Sequence, residues 1–202
     1  MNFTILEISI VTFLLAVSGA IAQFPIGKIS DLYDRRKVIV FSTFGAAIFS
    51  ILAVLVSRQM YLPDGLATSK TWFYIFFILF SFCSLPMFSL ILAHTNDYIA
   101  KEKFVAAGAG LQFVFGLGAM SGPFLCSILM DLVGSNGFFI FLFFFHSVIG
   151  LFGIYRMRVR QTVDNPDSQF VAMPQTITPA GIELNPTTEP IEEPLREENK
   201  NI

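Results

Sequence analysis

The chain has 202 residues, of which 54% are apolar and 14% charged, with 24 phenylalanines and a net charge of −2. That balance excludes an ordinary soluble domain and makes a lipid bilayer the expected solvent and first partner of the chain. The near-neutral total hides an asymmetry, because basic residues sit between apolar runs while acidic ones crowd towards the C-terminal end.

A bilayer-spanning helix takes about 20 mostly apolar residues, and five windows qualify: 6–24, 38–57, 72–94, 104–132 and 138–155. The expected fold is all-α, a polytopic transmembrane bundle with five spanning helices within residues 1–160. Barrel strands would alternate polar and apolar positions, which these continuous runs do not. The first window lacks the flanks of a secretory signal and is too long for one, so it is expected to stay in the membrane. The fourth is long enough to need tilt or a kink.

Between the first two windows lies the most informative stretch, Gly27-Lys28-Ile29-Ser30-Asp31-Leu32-Tyr33-Asp34-Arg35-Arg36-Lys37. It reads as a charged hairpin: Phe24-Pro25-Ile26 ends an apolar run, Gly27 provides a tight turn, Asp31 follows, and a basic triplet opens the next run. Gln23, beside it, is expected to shape the turn. Asp31 suits hydrogen bonds from a helix N-terminus, and Arg35 to Lys37 suit carboxylates or lipid phosphates.

This pattern at Gly27, Asp31, Arg35, Arg36 and Lys37 resembles the loop motif of the major facilitator superfamily of secondary transporters. The family pattern favours a basic residue where Leu32 stands and a glycine where Asp34 stands. The resemblance implies that the acidic residue helps to hold a cytoplasmic gate shut, with an opposite helical half supplying the partner helix end. A plain topological anchor with an incidental aspartate is the alternative reading.

Lys101 and Lys103 lie between the third and fourth windows, and Arg156, Arg158 and Arg160 follow the fifth; only Arg58 and Lys70 lie in the alternate loops. Positive residues are retained on the cytoplasmic side, so the first and third loops and the tail are expected in the cytoplasm and the N-terminus outside. In the resembling family, twelve helices form two halves, each with the motif after its second helix. Five helices with the motif after the first therefore resemble helices eight to twelve, an incomplete C-terminal half. Helices two to six are the other register, disfavoured because the tail falls where a central loop would continue.

His94-Thr95-Asn96-Asp97-Tyr98-Ile99 closes the third window near the first loop, where Asp97 is a possible gate partner for Arg35 or Arg36; a solvated helix end is the plainer reading. In the fourth window, Gly108, Gly110, Gly116, Gly118 and Gly122 before Pro123 would let another helix approach closely. Gly118 to Pro123 resembles the glycine-proline pattern of the family's fifth and eleventh helices. Gln112 is a possible cavity-lining residue, with core hydrogen bonding as its alternative. His146, amid phenylalanines, is expected to be a satisfied packing residue, and Glu7 to reach the headgroups. No Asp, Lys or Arg lies centrally in any window, so a proton relay or charged-substrate clamp has no candidate here.

Residues 161–202, rich in proline and acidic side chains, are expected to form a disordered cytoplasmic tail. Cys83 and Cys126 lie within apolar windows, without metal-like spacing or a disulfide framework. No catalytic arrangement, metal cluster or cofactor motif is present, and the glycines do not follow a strand as dinucleotide binding needs. Nothing points to nucleic acid. The expected function is the C-terminal portion of a secondary transporter moving a small solute by alternating access. That role requires a second polypeptide with the remaining helices, or a homo-oligomer. The alternative is a non-transporting membrane scaffold or a transporter remnant. Short loops point to a bacterial inner membrane.

Overall fold

A computed structural model of the chain describes residues 4–59, 66–160, 170–173, 178 and 181. Among these residues the secondary structure is helical: α1 (Ile5–Leu32), α2 (Arg35–Gln59), α3 (Leu66–Ser84), α4 (Met87–Asn96), a 3-10 turn (Lys101–Lys103), α5 (Phe104–Val133) and α6 (Gly137–Val159). Five spans, with α3 and α4 forming one of them, are long and apolar enough to cross a membrane. The all-α polytopic bundle is thus the observed architecture.

Two boundaries depart from the sequence reading. The first helix does not end at Phe24 but runs eight residues further, through Pro25 and Gly27 to Leu32. Gly27 is therefore no turn residue, and the chain reverses at Tyr33-Asp34 instead. In lipid, a proline's missing donor costs less than unwinding the helix into hydrocarbon, where freed backbone groups find no water. The third window is broken where one helix was expected: α3 stops at Ser84 and α4 starts after Pro86. The fourth remains one helix through Pro123; its 30 residues extend about 45 Å, well beyond the roughly 30 Å hydrocarbon core.

The basic triplet belongs to the first turn of α2, where positive charge opposes the helix dipole. Asp34 compensates. Its Oδ1 accepts the Arg36 backbone N–H at 3.0 Å, and its side chain pairs with the Arg36 guanidinium at 2.9 Å. At the other end of the molecule, Thr4 and Glu7 form a capping box on α1. Glu7 also pairs with Lys70 at 2.9 Å, so it is engaged within the bundle rather than reaching for headgroups.

Helix α2 is central, packed against α3 and α6, while α1 leans on α3 and α5 on α6. Small residues form the seams, as expected where lipid offers no hydrophobic drive between helices. A Cβ on Gly19 would overlap Leu85, and Gly150 and Gly153 of α6 admit Phe44 and Val40 of α2. Serines tie the same seams: Ser18 donates to the Ile78 carbonyl at 3.0 Å, and Ser81 to the Leu15 carbonyl at 2.7 Å. Two apolar clusters complete the core. One joins Ala53, Val54, Phe73 and Phe139; the other joins Ala22, Ile26, Val38 and Leu90.

The exception to this packing is α5. Only Phe104, Gly108 and Cys126 are buried along it, and Phe113, Met120 and Phe124 are each about two-thirds exposed or more. His146 matches its expected role, with Nε2 3.0 Å from Ser84 Oγ and Nδ1 2.8 Å from the Leu142 carbonyl. Cys83 and Cys126 are free thiols.

Candidate functional site

The ends of α1, α4 and α6 and the start of α2 meet at one pole of the bundle. Arg35 ties α1, α2 and α4 together there. Its guanidinium is 6% exposed, and donates through Nη2 to Asp31 Oδ1 at 2.8 Å and through Nη1 to Asp97 Oδ1 at 2.7 Å. Asp31 ends α1 one turn before Arg35, while Asp97 caps the C-terminus of α4. A planar fork holding two carboxylates from different helices fixes angle as well as distance, which a lysine there would not do. Three spans are thereby locked by one buried cation.

Arg36 makes a second, separate tie. It pairs with Asp34 and donates through Nη1 to the Arg160 carbonyl at 2.8 Å, joining the start of α2 to the end of α6. Lys37 is exposed; its backbone N–H donates to the Asp34 carbonyl. Burial raises the Asp34 carboxyl, but the hydrogen bonds and charge of Arg36 outweigh this and hold it below its ordinary value. A carboxyl depressed in the folded state contributes stability in full above its unfolded value of about 3.9, and loses it as pH falls through the folded value. Acid titration followed by helical content should therefore show a later onset of unfolding for the parent chain than for Asp34→Ala. Coincident acid limbs would contradict the assignment.

Gly27 lies buried in α1, where its missing side chain leaves room for the Phe170 ring. Asp31 also receives the Phe170 backbone N–H, at 2.8 Å. Beside them opens a cleft of about 690 Å³, with Gln23, Lys28 and Asp31 on one side and residues 170–172 on the other. Gln23 thus lines a cleft rather than shaping a turn. The expectation that the whole tail is free of the bundle fails at residues 170–173, which pack against α1 and α4; most of the remaining tail lies outside the described residues.

The other expected positions stand apart from this pole. Gln112 of α5 has a buried Oε1 without a hydrogen-bond partner among the described residues. At Gly110, Gly116, Gly118 and Gly122 no atom lies within 4 Å of where a Cβ would be, so the stripe leading to Pro123 faces open space. Among the described residues no group of His, Cys, Asp or Glu has the arrangement of a metal site. Sequence reasoning missed Asp34 and Ser89. Asp34 had a readable signal, an acidic residue just ahead of a basic helix start; Ser89 had none.

Comparison with known proteins supplies the family. The family model for the Major Facilitator Superfamily matches residues 1–193. An uncharacterized MFS-type transporter of Yersinia enterocolitica is 27% identical over 160 residues, covering 79% of this chain and 37% of that protein. Uncharacterized MFS-type transporters of Yersinia pestis and Yersinia pseudotuberculosis are 25% identical over the same length. The chain therefore spans little more than a third of the length of the curated relatives it matches. No solved structure matches it significantly. With the family model covering nearly the whole chain and five apolar spans in its fold, this multi-pass membrane protein belongs to the major facilitator superfamily.

Proposed function

We propose that the chain forms one wall of a secondary transporter that moves a small solute by alternating access, with the Asp31–Arg35–Asp97 cluster acting in its cytoplasmic gate. The observation that carries this reading is the cluster itself. It joins three spans through a single buried guanidinium, so a shift of α1 against α4 must break or remake a charged contact rather than slide gradually. Such a contact has two discrete states, as a gate needs. The concentration of basic residues at this pole favours its placement in the cytoplasm, with the N-terminus outside, and the short loops favour a bacterial inner membrane.

The open face of α5 supports the second part of the proposal, that the pathway is completed by helices beyond those present here. Gly118 and Gly122 leave a groove for close helix approach, Pro123 loosens the backbone beside it, and Gln112 offers an unpartnered polar atom on the same helix. Those helices come from a second polypeptide or from another copy of this chain. A stand-alone scaffold would need neither the gate nor the unpartnered polar atom.

Co-expression with a polypeptide carrying the remaining helices of the family tests this. The pair is expected to co-purify, to protect a thiol at Met120→Cys from a lipid-soluble maleimide, and to exchange solute in vesicles where neither part alone does. Failure to protect Met120→Cys in a co-purifying pair would contradict the role of α5 as the inner wall.

A further inference from the structure

We propose that the charged pole carries a peptide-docking groove whose occupant is the chain's own segment 170–173, and that docking engages the same carboxylate as the gate. Only the second clause rests on the gating role of Asp31.

The segment is received at three points, each from a different chemistry. The first is the notch at Gly27, where a Cβ would overlap the Phe170 ring. Through that notch the ring joins the apolar cluster of Ala22, Ile26, Val38 and Leu90. Glycine is needed there for close approach, not for backbone freedom, since the residue is helical. The second point is Asp31, whose Oδ1 accepts the Phe170 N–H at 2.8 Å. The third is Ser89 of α4, fully buried, which donates its hydroxyl to the Met173 carbonyl at 2.9 Å and accepts the Met173 N–H at 3.0 Å. Met173 itself is 6% exposed, whereas its neighbour Ala172 is exposed.

Backbone groups of the segment are thus read by side chains of two helices, while Phe170 and Met173 turn inward and Ala172 stays exposed. This is how a groove recognises a peptide strand: polar partners for the main chain and a pocket for an anchor ring. The occupant is identified by the contacts, because every one of them is made within this chain. A consequence follows at Asp31. The same Oδ1 accepts both the Phe170 N–H and Arg35 Nη2, so the docked tail adds a donor to the gate's ion pair and holds α1 and α4 together. Releasing the tail removes one polar tie across that pair of helices and leaves the Arg35 bridge and the apolar packing of Ala22 and Ile26 with Leu90. The tail is then a strap that biases the gate towards its closed state.

The test uses the full chain in permeabilised membranes, with Cys83 and Cys126 replaced by alanine and one thiol introduced at Ala172→Cys or Met173→Cys. A water-soluble maleimide should alkylate position 173 at least about tenfold more slowly than position 172, since the inward site reacts only when the segment opens. Gly27→Ala, which favours the helix yet fills the notch, and Ser89→Ala should each bring the rate at 173 towards that at 172. Equal rates at the two positions, or a rate at 173 indifferent to both substitutions, would overturn the groove. Because Met173→Cys removes the docked side chain, sulfoxide formation at native Met173 under mild peroxide provides an independent reading. It should rise severalfold in Gly27→Ala, and an unchanged rate would equally overturn the proposal. If docking holds but tail release leaves the accessibility of a pathway thiol at Gln112→Cys unchanged, the strap's effect on the gate is refuted while the groove stands.

Discussion

Replacing Arg35 by leucine is expected to destabilise the bundle by about 3–5 kcal/mol, the range for removing one member of a buried ion pair. The residue is 6% exposed and lies between two carboxylates, so its loss leaves Asp31 and Asp97 without the guanidinium that bridges them. Asp97 is the more affected, being 13% exposed against 34% for Asp31; the His94 imidazole, 3.8 Å away, is a counter-charge only when protonated. Replacing both partners separates the cost of the orphaned charge from the value of the pair. Arg35→Leu with Asp97→Leu should be more stable than Arg35→Leu alone, because no buried carboxylate then lacks its cation. Unfolding in a mild detergent with increasing denaturing detergent, followed by helical content, measures both. A double variant less stable than the single would mean that the cluster contributes through packing instead of charge.

The second large effect is expected at the tight connection between α5 and α6. Gly134 has φ of 77°, a left-handed conformation that strains any residue with a side chain, and its carbonyl accepts the Gly137 N–H at 2.8 Å. A Cβ on Gly137 would lie 2.8 Å from the Leu129 carbonyl oxygen and from Met130 Cα. Both are backbone, so neither can rotate aside. Gly137→Ala should therefore cost about 1–3 kcal/mol, as overpacking does, and should spread the hairpin that holds α5. Gly116→Ala is the internal control. Nothing lies within 4 Å of its Cβ position, and alanine in place of a helical glycine gains about 0.5–1 kcal/mol. The same substitution thus has opposite signs at two glycines of neighbouring helices. Protease cleavage between residues 134 and 137, together with the stability measurement, distinguishes a local opening from a general loss of structure.

The spans were legible because their signal is additive: roughly twenty apolar residues must cross the hydrocarbon, and no local detail overrides that sum. The proximity of Asp97 to the first loop was legible as well, since two loops on one side of a membrane bundle converge. Gly27 was not. A glycine that enables a turn and a glycine that admits a neighbouring ring look identical in sequence, and here the ring belongs to Phe170, far along the chain. Pro25 and Pro86 make the same point in opposite directions. One is absorbed within α1, while the other separates α3 from α4. Proline removes a donor in both cases, and the surrounding helices decide whether the helix continues. The tail's docking was hidden for a further reason: its receivers are a glycine, a serine and a carboxylate that share no sequence pattern and meet only in the folded bundle.

The most direct test of the proposed gating is the accessibility of a thiol at Gln112→Cys from each side of the membrane, in the co-expressed pair with and without Asp31→Asn. Asparagine retains the shape but removes the charge that meets Arg35. The expected result is faster labelling from the cytoplasmic side and slower labelling from outside, a shift of population towards inward-facing forms. Unchanged labelling from both sides would contradict a gate at the Asp31–Arg35–Asp97 cluster and reduce it to a structural tie.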